Sequence, residues 1–137
     1  MENSLSILIK KASLRYDRLA TDILDQQDLT AAQFRTLKYL MRVGKPVPQR
    51  AIELAFGMSN PTVTGILQKL ERKGFIDRVL NPNDKRSKLV ALSPSAIAQE
   101  DFLRKLGKEI DAQMAVNLTE DQEETLIHLL KELIEEE

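Results

Sequence analysis

The sequence predicts a mainly α-helical fold with one small β-hairpin, an α+β arrangement in which a compact lobe is flanked by further helices. Three observations predict it. Helix-start signals precede apolar stripes of helical period at Thr30, Ser59-Asn60-Pro61, Ser93-Pro94 and Thr119. Only one stretch, from Phe75 to Leu92, has strand character on both sides of a turn cluster. Charge is unevenly divided: residues 35–90 hold twelve Lys/Arg against four Asp/Glu, whereas residues 91–137 hold four against twelve.

Residues 4–25 carry Leu5, Leu8, Ala12, Leu19 and Ile23 near helical spacing and no Gly or Pro, which predicts a first helix. Thr30 and Gln33 can close a capping box, and Leu29 and Phe34 occupy the two staple positions around it, so a second helix starts there and runs to Gly44. Lys45-Pro46-Val47-Pro48 reads as a rigid extended connector. A short helix follows from Gln49 to Phe56 and stops at Gly57; the next has Asn60 as its expected cap and Pro61 at its first position. In that helix Val63, Ile66, Leu67 and Leu70 form one buried stripe, opposite Thr64, Gly65, Gln68, Lys69 and Arg72. Lys73-Gly74 closes it.

Phe75–Leu80 and Lys88–Leu92 are the two expected strands, and Asn81-Pro82-Asn83-Asp84 is the turn between them, so the hairpin has a polar, basic tip. Ser93-Pro94 opens one long helix through Leu103, Leu106, Ile110 and Met114, and Thr119-x-x-Gln122 opens a last one with Leu126, Leu129, Leu130 and Leu133. The closing Glu135-Glu136-Glu137 opposes the helix dipole and is expected to fray.

Composition excludes several functions. A chain of 137 residues without cysteine has no disulfide, thiolate metal site or thiol redox sensor. The acidic start and the short apolar run Ile7-Leu8-Ile9 suit neither a signal peptide nor a membrane span, so a cytoplasmic, nucleoid-associated protein of a bacterium or archaeon is expected. For an enzyme the chain offers one histidine, no paired nucleophile and no glycine-rich phosphate loop. No cofactor is expected. His128 stands between Glu124 and Glu132, but two carboxylates and one imidazole make a weak metal set, and a surface role is the better reading.

What remains is a basic middle in a chain of net charge −1, the footprint of a polyanion-binding segment. A short helix, a glycine turn, a second helix with polar residues opposite its core stripe and a basic hairpin form a winged helix-turn-helix pattern. Ser59, Asn60 and Thr62 bring small hydrogen-bonding groups to the N-terminal end of the second helix, where base edges and phosphates are met. Thr64 and Gly65 keep its outer face slim enough for a major groove, and Gln68 and Lys69 extend that face. Gln49, Arg50 and Arg72 are candidate backbone contacts. Lys85, Arg86 and Lys88 lie a short reach away, where one arginine can enter a minor groove.

The run Thr62–Arg78 resembles the recognition helix and following strand of the MarR family. Asn81–Ser93 is similar to that family's wing, with Asp84-x-Arg86 and a closing Leu92-Ser93; Leu29-Thr30-x-x-Gln33-Phe34 matches its second helix. The resemblance implies a single domain over 1–137, with a DNA-binding lobe at 29–93 and dimerisation helices in 1–28 and 94–137. It also implies a homodimer on a pseudo-palindromic operator, Arg86 in the minor groove with Asp84 orienting it, and repression relieved by a small aromatic or amphipathic effector. Tyr16, Tyr39 and Met41 lie near where such an effector pocket falls. Two departures are visible: Pro48 stands where the family has a capping Thr or Ser, and Ser95-Ala96 replaces its Lys-Gly.

Plainer readings stand beside these. Asp84 and Arg86 also suit an ordinary surface pair, Ser59, Asn60 and Thr62 are caps whatever the function, and Tyr16, Tyr39 and Met41 suit plain core. A winged-helix module that binds protein instead of DNA is the alternative function, but it needs an apolar recognition face, and this one is Thr, Gly, Gln and Lys.

Overall fold

The computed structural model describes residues 3–135; Met1, Glu2 and the Glu136-Glu137 part of the acidic end lie outside the described residues. Helix α1 spans Leu5–Leu24, capped by the Ser4 hydroxyl, which accepts from the Ile7 amide. A 3-10 turn, Asp25–Gln27, leads through Asp28 in the left-handed region to α2, Ala31–Val43. The predicted capping box is formed there. Thr30 Oγ1 accepts from the Gln33 amide and Gln33 Oε1 from the Thr30 amide, each at 3.1 Å, while Leu29 and Phe34 are both buried. Gly44 ends α2 at φ 73°.

The connector after Gly44 does more than span. Val47–Pro48 forms β1, a two-residue edge strand pairing antiparallel with a later strand, Val47 opposite Val90. The hairpin expected from sequence is therefore a three-stranded sheet of order β1-β3-β2. Two residues are too few for an alternating pattern, and a proline is tolerated because an edge strand has one unpaired side. Helix α3, Gln49–Phe56, begins without a side-chain cap, the consequence of Pro48, and ends at Gly57 with φ 61°.

Helix α4 spans Asn60–Arg72, one residue earlier than expected. Its cap is Ser59, not Asn60, and Pro61 is at the second helical position. A hydroxyl satisfies the Thr62 amide and leaves the Asn60 side chain free to turn elsewhere. Val63, Leu67 and Leu70 are buried as the stripe predicts, with Ile66 partly so. Strand β2, Ile76–Asn81, and strand β3, Asp84–Leu92, make the wing. Here β3 starts four residues before the expected Lys88, so Lys85, Arg86 and Lys88 sit along a strand and only Pro82-Asn83 forms the turn.

The expected long helix after Ser93 is two. A five-residue α5, Pro94–Ala98, breaks at Gln99 before α6, Glu100–Met114. Ser93 Oγ donates to the Gly74 carbonyl at 2.7 Å and accepts from the Ala96 amide, which pins α5 to the base of the wing. In contrast, α6 packs along α1 and α2. Neither glycine nor proline marks that break; tertiary packing imposes it, and Glu100-Asp101 favour a fresh helix N-terminus.

The core joins α2, α4, the sheet and α6 around Phe34, Leu37, Leu67, Leu70, Ile76 and Leu103. Helix α7, Glu120–Ile134, has the predicted Thr119–Gln122 capping box but buries none of its residues. Its Leu126, Ile127, Leu129, Leu130, Leu133 and Ile134 are exposed, as are Leu5, Leu8 and Ile9 in the first half of α1.

Candidate nucleic-acid interface

Helices α3 and α4 meet at a buried carboxylate. Glu53 sits one residue after Ile52 on the inward side of α3 and is only 6% exposed. Asn60 Nδ2 donates to its Oε2 at 2.8 Å, Gln49 Nε2 to the same oxygen at 3.3 Å, and Arg50 Nη1 to Oε1 at 3.2 Å. The Asn60 hydrogen bond, aided by those of Arg50 and Gln49 and opposed by desolvation, holds the carboxyl below the ordinary glutamate value of 4.5. Gln49 Nε2 also donates to Thr64 Oγ1 at 2.9 Å. Three of the sequence-predicted contacts, Gln49, Arg50 and Asn60, are thus drawn together by Glu53, a residue outside the candidate set, and Thr64 joins them through Gln49. Its one sequence signal is an acid on the Ile52–Phe56 face, where an apolar residue belongs.

The rest of α4 is different. Ser59 and Thr62 share a hydroxyl hydrogen bond at 3.0 Å. Among the described residues, the exposed side chains of Gln68, Lys69 and Arg72 enter no hydrogen bond or ion pair. Gly65 has no internal justification: its φ is not positive, and a Cβ built there meets nothing within 4 Å. A glycine inside a helix costs about 0.5–1 kcal/mol relative to alanine, and here it leaves a bare patch on the helix surface. Lys73 belongs elsewhere; its Nζ donates to the Asp28 carbonyl and, at 2.9 Å, to Gln33 Oε1, tying the end of α4 to the capping box of α2.

In the wing, pairing runs regularly from Ile76–Leu92 to Leu80–Lys88 and then jumps to Asn81–Asp84, so Lys85, Arg86 and Ser87 bulge from the ladder. Asp84 Oδ1 accepts from the Arg86 amide at 3.0 Å and lies 3.6 Å from Arg86 Nε. Asn81 Nδ2 donates to Ser87 Oγ, closing the far side. Asp84 therefore shapes the backbone that carries Arg86, and the guanidinium itself is 94% exposed.

Tyr16, Tyr39 and Met41 share one open cavity of about 660 Å³ between α1, α2, α3 and α6. Cations stack on its rings: Arg35 lies 5.9 Å from the Tyr16 centroid, Lys38 5.8 Å from Phe34 and Arg42 5.6 Å from Tyr39. Gly107 floors it, where an added Cβ would come within 3.1 Å of Lys38 Nζ. His128, on exposed α7, pairs with Glu132 at 3.3 Å; no group of three or more metal-capable side chains occurs among the described residues.

A slim polar helix face beside a basic wing places the lobe in the winged-helix class of DNA-binding proteins. Residues 27–87 match the MarR family. Over 131 residues the chain is 34% identical to the multiple antibiotic resistance protein MarR of Salmonella typhimurium, covering 95% of this chain and 90% of that protein. A probable transcriptional regulator from Pseudomonas aeruginosa superposes with a TM-score of 0.87 at 30% identity, over 96% of this chain and 98% of that one. A mutant of Escherichia coli MarR, in complex with operator DNA, superposes with a TM-score of 0.84 at 32% identity, over 96% and 94% of the two chains. The chain belongs to the MarR family of transcriptional regulators.

Proposed function

We propose that this regulator is a cytoplasmic homodimeric repressor, without catalytic activity, that binds a pseudo-palindromic operator and leaves it when a small aromatic or amphipathic effector fills the cavity beside Tyr16 and Tyr39. The observation that carries the reading is the placement of unpaired surfaces. The polar and basic face of α4 and the bulged wing carry exposed side chains suited to DNA, while the exposed apolar faces of α1 and α7 need a second copy. In the 29–93 lobe, Ser59, Thr62, Gly65, Gln68 and Lys69 face the major groove, Arg72 the phosphates, and Lys85, Arg86 and Lys88 the adjacent minor groove. Residues 1–28 and 94–137 set the distance between two such lobes, about 34–36 Å for half-sites one turn apart. The cations around the cavity favour an anionic ring compound.

Selection of bound duplexes from a random library tests this. One palindromic site is expected to be enriched, and an aromatic acid to release it. Failure to enrich any sequence from the full-length protein would overturn the operator reading.

A further inference from the structure

Resting on the operator reading above, we propose a division of labour along α4: Gln68 reads base edges, whereas Gln49, Asn60 and Thr64 do not, because Glu53 holds them in a closed relay that positions α4. A bidentate contact with adenine takes one amide N–H of an asparagine or glutamine, donating to N7, and its amide oxygen, accepting from N6. Asn60 has already given a donor to Glu53 at 2.8 Å, and its Oδ1 faces Thr64 Oγ1 at 3.5 Å. Gln49 Nε2 is divided between Glu53, Thr64 and the Asn60 carbonyl. Releasing either amide for a base removes one of three donors from a buried carboxylate, a cost that works against the contact it would make.

Gln68 carries no such obligation. It lies three residues from Gly65, so it stands on the same helix face as the bare patch, one turn toward the C-terminus. Without a side chain at Gly65 a groove wall can approach the helix closely enough for Gln68 to reach base edges. Lys69, adjacent and also exposed, adds positive charge to the same groove-facing surface. Glu53 tolerates its place near a polyanion because its lone pairs are covered by three donors and it is almost wholly buried.

The test is selection from a random duplex library by the full-length wild type and by the Gln68→Ala, Asn60→Ala and Glu53→Gln variants, each confirmed folded by circular dichroism. Wild-type enrichment of no sequence overturns the operator reading itself. Given a wild-type site, Gln68→Ala is expected to lose preference at one base pair per half-site, by about 5- to 150-fold. Asn60→Ala is expected to weaken all sequences alike and keep the wild-type preference. Glu53→Gln replaces an acceptor with a donor, frees the Asn60 and Gln49 amides, and is expected to enrich a new base that the wild type ignores. Unchanged preference in Gln68→Ala, a position lost in Asn60→Ala, or a uniform decline in Glu53→Gln overturns the proposal.

Discussion

Arg86 and Gly65 carry the proposed DNA contact in two different ways. Arg86 extends from a bulge whose backbone Asp84 holds, so the backbone is already ordered while the exposed guanidinium is ordered on binding. Arg86→Ala is expected to weaken operator binding about ten-fold or more at fixed salt, read by fluorescence anisotropy, while Tm stays unchanged. For Gly65 the two readouts move in opposite directions. Gly65→Ala is expected to stabilise the fold by about 0.5–1 kcal/mol, seen as a rise in Tm, and to weaken DNA binding. An alanine that left affinity intact would remove the reason offered for the glycine. Both residues stood out in the sequence, Arg86 from its motif and Gly65 from its place opposite the apolar stripe. Glu53 did not, because the donors that justify a buried acid come from Gln49, Arg50 and Asn60, and no spacing rule shows that they converge.

Among the elements, the α3–α4 pair and the start of α2 have distinct thresholds. Glu53 is held below the ordinary glutamate value, so its contribution to stability is present above about pH 4.5 and disappears as pH falls through its lower folded value. Thermal melts between pH 3 and pH 6, roughly, are expected to show a steeper acid loss for the wild type than for Glu53→Gln. At α2, Thr30→Ala removes one side of a capping box and is expected to cost about 1 kcal/mol, measurable by urea unfolding. Its consequences reach α4, since the same Gln33 oxygen accepts from Lys73. Helix starts were legible in the sequence because a cap is a local bond between residues three apart. The third strand and the break at Gln99 were not: β1 is defined by Val90 on a distant strand, and α5 by the Gly74 carbonyl above Ser93.

For the whole molecule, the proposed dimer rests on the balance of charge and apolar surface. Leu126, Leu130 and Leu133 are exposed on α7. The double variant Leu130→Glu/Leu133→Glu is expected to sediment as a folded monomer at micromolar concentration and to lose operator binding, as half-sites bound singly forgo the second lobe. Log affinity of the wild type is expected to fall linearly with log salt, with a slope of about −0.9 per phosphate neutralised.

By itself the sequence determined most of the helices and their caps, the wing motif and the basic middle segment of this protein, all properties of residues within a few positions of one another. Tertiary structure alone decided which polar groups remain for a partner. Asn60 and Gln68 are both polar residues of one helix, but Asn60 donates to a buried carboxylate on α3 and exposed Gln68 makes no side-chain hydrogen bond among the described residues. That difference arises from the packing of α3 against α4, because a hydrogen-bond partner across a helix pair is set by where the two backbones lie in space.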